Sequence, residues 1–179
     1  MENSGNKEQS GNRTLENAIV AVGFIVALIA SVGGWYIRTP HLYAETPDGN
    51  WIIDQEVEAG TPVTLSYTHS VQKTMVYEYL EVNEYETGLV LKSTKYQSQG
   101  VGLPFLASEG NFRREGEWFI TEDMNRPYPE LRVRNGVTNH EHITVGEKDY
   151  SLDDLVPLET ELRIYVAPMW QNFWQYFKF

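Results

Sequence analysis

The stretch Ser66-Tyr67-Thr68-His69-Ser70-Val71-Gln72-Lys73-Thr74-Met75-Val76-Tyr77-Glu78-Tyr79 reads as a β-hairpin: an apolar strand, a polar loop Ser70 to Lys73, and a second strand carrying one acid. A four-residue loop sets His69 opposite Thr74, Tyr67 opposite Val76, Leu65 opposite Glu78 and Val63 opposite Leu80. Because side chains alternate with period two, Val63, Leu65, Tyr67, His69, Val76, Glu78, Leu80 and Val82 share one face. That face is apolar apart from His69 and Glu78. An unpaired buried carboxylate costs several kcal/mol, so Glu78 requires a partner or a proton. If Tyr85 to Gly88 forms another four-residue loop, Lys95 lies opposite Glu78; a slip of one residue places Thr94 there instead. Arg132 and Arg134 are further candidate partners.

The chain of 179 residues carries 25 acidic and 14 basic side chains, a net charge of −11, and no cysteine. That balance argues against nucleic acid, which is bound by surplus Lys and Arg, and against adsorption to anionic lipid. Without cysteine there is no disulfide framework, no Cys-ligated metal and no lipid-modified anchor residue. Residues 1–17 are polar and read as a disordered cytoplasmic tail. From 18 to 37 the sequence AIVAVGFIVALIASVGGWYI carries no charge, and twenty residues at helical rise span about 30 Å, the thickness of a bilayer's hydrocarbon core. Trp35 and Tyr36 stand where interfacial aromatics belong. The cations before the span place the N-terminus in the cytoplasm and the C-terminal domain outside. Retention as an anchor is favoured over cleavage as a signal peptide. Gly23, Ala27 and Ser31 recur every four residues, a spacing that lets helices approach closely in lipid.

Residues 38–50 read as a Pro-containing linker, with a Pro47-Asp48-Gly49-Asn50 turn. Strands are expected at 51–57, 62–69, 74–83 and 89–96, with weaker ones at 118–121, 130–134, 140–145 and 161–166. The fold class is therefore mainly β: an antiparallel sandwich or barrel-like domain over 51–167 behind a single transmembrane helix. In the C-terminal segment 168–179, Trp170, Phe173, Trp174 and Phe177 follow a helical period. They predict a short amphipathic helix whose aromatic face caps the core, lies in the bilayer interface or contacts a partner.

Three constellations bear on chemistry. Gln99-Gly100-Val101-Gly102-Leu103-Pro104 follows a strand and reads as a shaped turn or an anion-binding nest. His69, Ser70 and Glu78 are the residue types of a hydrolytic triad. Neighbours on a strand point to opposite faces, however, and no nucleophile elbow surrounds Ser70, so a polar network that fixes the hairpin is expected and an enzyme is not. His140 and His142 could share a face, but no third ligand follows, so neither metal nor cofactor is expected.

Tyr67-Thr68-His69-Ser70-Val71, then Thr74, Val76 and Glu78, then Tyr96, Ser98 and Gly100-Val101-Gly102-Leu103-Pro104, resembles a family of small, uncharacterised, membrane-anchored extracytoplasmic proteins. Its members are commonly encoded beside TRAP transporters of the TAXI type, and the resemblance covers roughly residues 50 to 166. It implies an accessory subunit that contacts the transporter's membrane subunit or its substrate-binding protein; from their spacing, Gly23, Ala27, Ser31, Trp170, Phe173, Trp174 and Phe177 are the candidate contact residues. The rival expectation is an extracytoplasmic small-ligand sensor built on His69, Ser70, Glu78, Lys95, Gly100, Gly102 and Pro104. An envelope hydrolase is a third.

Overall fold

The computed structural model describes residues 5–98 and 110–177, which divide into two units, Met1–Thr39 and Pro40–Phe179. The first is one helix, α1 (Gly5–Tyr36), which begins within the stretch read as a disordered tail. Its segment Glu16–Tyr36 is long and apolar enough to cross a membrane, and the side chains of the span are exposed.

The second unit is an antiparallel β-sandwich. Its elements in order are β1 (Pro40–Glu45), β2 (Trp51–Glu56), β3 (Pro62–Thr68), β4 (Met75–Val82), β5 (Leu89–Tyr96), β6 (Asn111–Glu115), β7 (Trp118–Glu122), β8 (Arg126–Tyr128), β9 (Glu130–Arg134), β10 (His142–Val145), β11 (Lys148–Ser151), α2 (Leu152–Leu155) and β12 (Glu161–Pro168), then a 3-10 helix, Met169–Phe177. The smaller sheet has the order β2-β1-β12-β9. The larger runs β11-β10-β3-β4-β5-β7-β6, with β8 also paired to β5.

Period-two burial builds the core between the sheets. Leu42, Ala44, Ile53, Val133, Leu162, Ile164 and Val166 of the smaller sheet pack with Val63, Leu65, Leu80, Val82, Leu89, Leu91, Ile143 and Val145 of the larger. Each fully buried aliphatic side chain of this kind contributes about 1.5–3 kcal/mol before entropy is counted. β1 lies inside the stretch read as a linker. Pro40 and Pro47 make that stretch look like a connection, yet Leu42, Tyr43 and Ala44 are completely buried, and β1 is a central strand held by both β2 and β12.

The hairpin has the expected register, with Tyr67 opposite Val76, Leu65 opposite Glu78 and Val63 opposite Leu80. The His69 amide donates to Thr74 O at 2.8 Å, which closes the four-residue loop. The next hairpin differs. Its loop, closed by Asn83 N to Gly88 O at 3.0 Å, also has four residues but spans 84–87 and so starts one residue earlier than expected, because the Asn83 side-chain carbonyl accepts from the Tyr85 and Thr87 amides and folds the turn on itself. A bulge then leaves Lys92 unpaired between Leu91, opposite Leu80, and Ser93, opposite Tyr79. The earlier loop moves the pairing by two residues and the bulge returns one, so Thr94, not Lys95, faces Glu78.

The C-terminal segment is a 3-10 helix, not the α-helix that its aromatic spacing predicts. With three residues per turn, Met169, Asn172 and Gln175 face one way. Met169 is buried and the other two are half-buried, while Trp170, Trp174 and Phe177 are exposed. Trp170, Trp174 and Phe177 therefore do not cap the core, and the Phe173 side chain lies outside the described residues.

Candidate functional site

The inner face of the larger sheet is apolar at one end and polar at the other. In one transverse row Leu65, Glu78, Thr94 and Thr121 follow one another across β3, β4, β5 and β7. Thr94 and Thr121 are 1% and 0% exposed. In the next row β3 brings Tyr67. Continuing the β3–β10 register by one residue beyond Ser66 and His142 sets Glu141 opposite Tyr67. Glu141 is 6% exposed. Period two thus gathers one phenol, two carboxyls and two threonine hydroxyls where a sandwich ordinarily holds hydrocarbon.

The Tyr67 hydroxyl donates to Glu78 Oε1 at 3.2 Å. Burial raises the Glu78 carboxyl above its ordinary value; the Tyr67 bond and the positive charge of Arg126 oppose that shift. Arg126 stands opposite Leu91 at the edge of the same face. Burial also raises the Tyr67 phenol, and the Glu78 and Glu141 charges add to it. Glu141 is pushed up to about 7, first by desolvation and then by the charge of Asp153, against a hydrogen bond from Asn139. Among the described residues Glu141 Oε2 and Thr94 Oγ1 are buried with no hydrogen-bond partner, and such atoms cost free energy in a sealed core. This arrangement can hold a proton near neutral pH.

The residues singled out in the sequence are only partly brought together. Glu78 is half-buried on the inner face as expected, but its partner is Tyr67, not a cation. The slipped register turns Lys95 to the outer face, where its ammonium lies over the Trp118 ring at 4.4 Å. Arg132 and Arg134 are also elsewhere: Arg132 pairs with Glu130 and Glu161, and Arg134 with Glu161, on the exposed side of the smaller sheet. His69 does not join Glu78. The Val71 and Gln72 amides donate to His69 Nδ1 at 3.3 Å each, so the ring caps its own loop. Ser70 is exposed in that loop. Gly100, Gly102 and Pro104 lie outside the described residues. No group of three or more His, Asp or Glu able to hold a metal ion occurs among the described residues. His140 and His142 instead bond to Asp153 and Asp149 at 2.8 and 2.9 Å.

Sequence reasoning named Thr94 only as the alternative to Lys95, and gave no role to Thr121 or Glu141. Glu141 shares a period-two face with Ile143 and Val145 in the strand expected at 140–145, and that alternation is the signal that could have found it. A second polar cluster, on the outer face of the smaller sheet, was missed as well. There His41 Nδ1 and Asp54 Oδ1 are 2.6 Å apart, Tyr176 donates to Asp54 Oδ2 at 2.8 Å, and the Tyr43 and Tyr176 hydroxyls are 3.1 Å apart. Its members come from β1, β2 and the C-terminal helix, which only the tertiary fold assembles.

No curated protein and no solved structure matches the chain. A family model, Domain of unknown function (DUF1850), matches residues 63–152. That range runs from β3 through β11 and holds Tyr67, Glu78, Thr94, Thr121 and Glu141, so the polar cluster of the larger sheet lies within the matched region. The chain therefore belongs to the DUF1850 family, a family of domains of unknown function.

Proposed function

We propose that this protein is a membrane-anchored accessory subunit of a TAXI-type TRAP transporter, with α1 in the bilayer, its N-terminus in the cytoplasm and the β-sandwich outside. The observation that carries the reading is the pairing of one exposed apolar helix with a sandwich whose interior is largely filled by its own side chains. One helix cannot form a transport pathway, and a filled sandwich acts through its surfaces. Gly23, Ala27 and Ser31 are exposed along α1, and a Cβ added at Gly23 meets nothing within 4 Å, which suits close approach by a transmembrane helix of the transporter. The test is affinity purification of the intact protein from its native membrane. Recovery of the transporter's membrane subunit or substrate-binding protein supports the reading, and its absence from a stable preparation ends it.

A second reading, an extracytoplasmic sensor of a small polar ligand, is favoured by the unpartnered Glu141 Oε2 and Thr94 Oγ1 beside Glu78 and Tyr67. Native mass spectrometry of the purified protein checks it. A small molecule retained by the wild type and lost from a Thr94→Val, Glu141→Gln variant would carry it.

A further inference from the structure

We propose that the C-terminal 3-10 helix is a second membrane contact, lying on the bilayer surface with the indoles of Trp170 and Trp174 in the interfacial layer. The inference rests on the reading of α1 as a membrane span. The helix is amphipathic in an inverted sense. Its polar side chains hold it to the sandwich: Asn172 Nδ2 donates to the Tyr165 hydroxyl at 3.4 Å, and Tyr176 bonds to Asp54 and Tyr43. Three of its large apolar side chains are turned outward, with Trp170 53%, Trp174 79% and Phe177 56% exposed. Elsewhere on the sandwich the exposed large apolar residues, such as Val71, Tyr85, Phe112 and Val137, stand on separate loops and strands, as on any soluble surface. Met169–Phe177 gathers several of them in one element with no charged residue, in a chain that is 22% charged overall. A concentrated apolar surface of this kind marks an interaction site.

The bilayer is the occupant that the chain itself selects. Only Ile37, Arg38 and Thr39 separate the end of α1 from Pro40, and four extended steps reach about 14 Å at most. Pro40 pairs with Pro168, the residue immediately before the 3-10 helix. A span that ends at Tyr36 therefore tethers the start of that helix close to the membrane surface. Tryptophan and tyrosine are the side chains that favour the interfacial layer, and Trp35 and Tyr36 close the span with the same chemistry. With a net charge of −11 and no cation in Met169–Phe177, the contact is apolar and not electrostatic, so zwitterionic lipid suffices and salt has little effect.

The test uses the full chain in phosphatidylcholine vesicles, with and without lipid brominated at the shallow acyl positions, which quenches nearby indoles. The emission of Trp170 and Trp174 is obtained as the difference between the wild type and a Trp170→Phe, Trp174→Phe variant. The expected result is a blue-shifted difference emission, quenched at least twofold by the shallow-brominated lipid and unchanged by 0.5 M salt (about the range where surface charge is screened). A difference emission at the wavelength of water-exposed indole, quenched by acrylamide and not by bromolipid, overturns the proposal. Emission quenched by neither overturns it too, because it places the indoles against protein. Alkaline extraction of the same vesicles separates the two readings. Release of the chain refutes the span, whereas retention with aqueous indoles refutes only the second contact.

Discussion

Replacing Glu141 by glutamine should make the protein more stable above neutral pH and leave it unchanged in acid. The carboxyl moves from 4.5 to about 7 on folding. Below about 4.5 it is protonated in both states and the native structure bears no cost. Between there and about 7 the unfolded chain loses its proton first, so stability falls as pH rises, and above about 7 the loss is complete. At about 1.4 kcal/mol per pH unit the full linkage is about 3 kcal/mol. Glu141 lies just before β10, and local relaxation and water penetration reduce the effect to about 1–2 kcal/mol. Glutamine keeps the shape and the neutral form at every pH. The assay is thermal unfolding of wild type and Glu141→Gln in matched detergent from pH 4.5 to 8.5, which cancels the titration of Glu78, Asp153 and His140 common to both. The midpoints should coincide near pH 4.5 and separate by about 4–8 °C at pH 8.5. Parallel curves across that range would refute the claim that this buried carboxyl carries a proton in the native state.

Three further outcomes follow from particular contacts. Tyr67→Phe removes the only hydrogen bond from a described residue to the Glu78 carboxyl and should cost about 1–2 kcal/mol in urea unfolding, more at pH 8 than at pH 5. Asn135→Ala should cost about 2 kcal/mol in the same assay, since Asn135 is 0% exposed and its Nδ2 ties the end of β9 to Leu152 O and Val156 O of α2 at 3.3 and 3.2 Å. Ala27→Leu, which fills the small-residue stripe on α1, should weaken co-purification with the transporter by about tenfold, or about 1.4 kcal/mol, without shifting the melting temperature of the sandwich.

Much of the architecture was legible in the sequence because it follows from local periods. An uncharged run of helical length marks α1, and alternation marks β3, β4, β5 and β9. The loop Ser70 to Lys73 sets the first hairpin's register, and with it the inward direction of Glu78. Four things depended on the tertiary structure. Thr94 replaces Lys95 opposite Glu78 because the position of the loop and a bulge at Lys92 decide the register, and a change of one residue turns every side chain to the other face. β1 is central despite its prolines because β12, over a hundred residues later, supplies its second ladder. Trp170, Trp174 and Phe177 face outward because a 3-10 turn of three residues, locked by Asn172 to Tyr165 and Tyr176 to Asp54, overrides the α-helical period written in the spacing. Glu141, the carboxyl most perturbed by its surroundings, owes its burial to β3 and α2 packing on either side of it. Alternation with Ile143 and Val145 sets the face of Glu141, but a strand period does not tell which neighbours will take a carboxyl out of water.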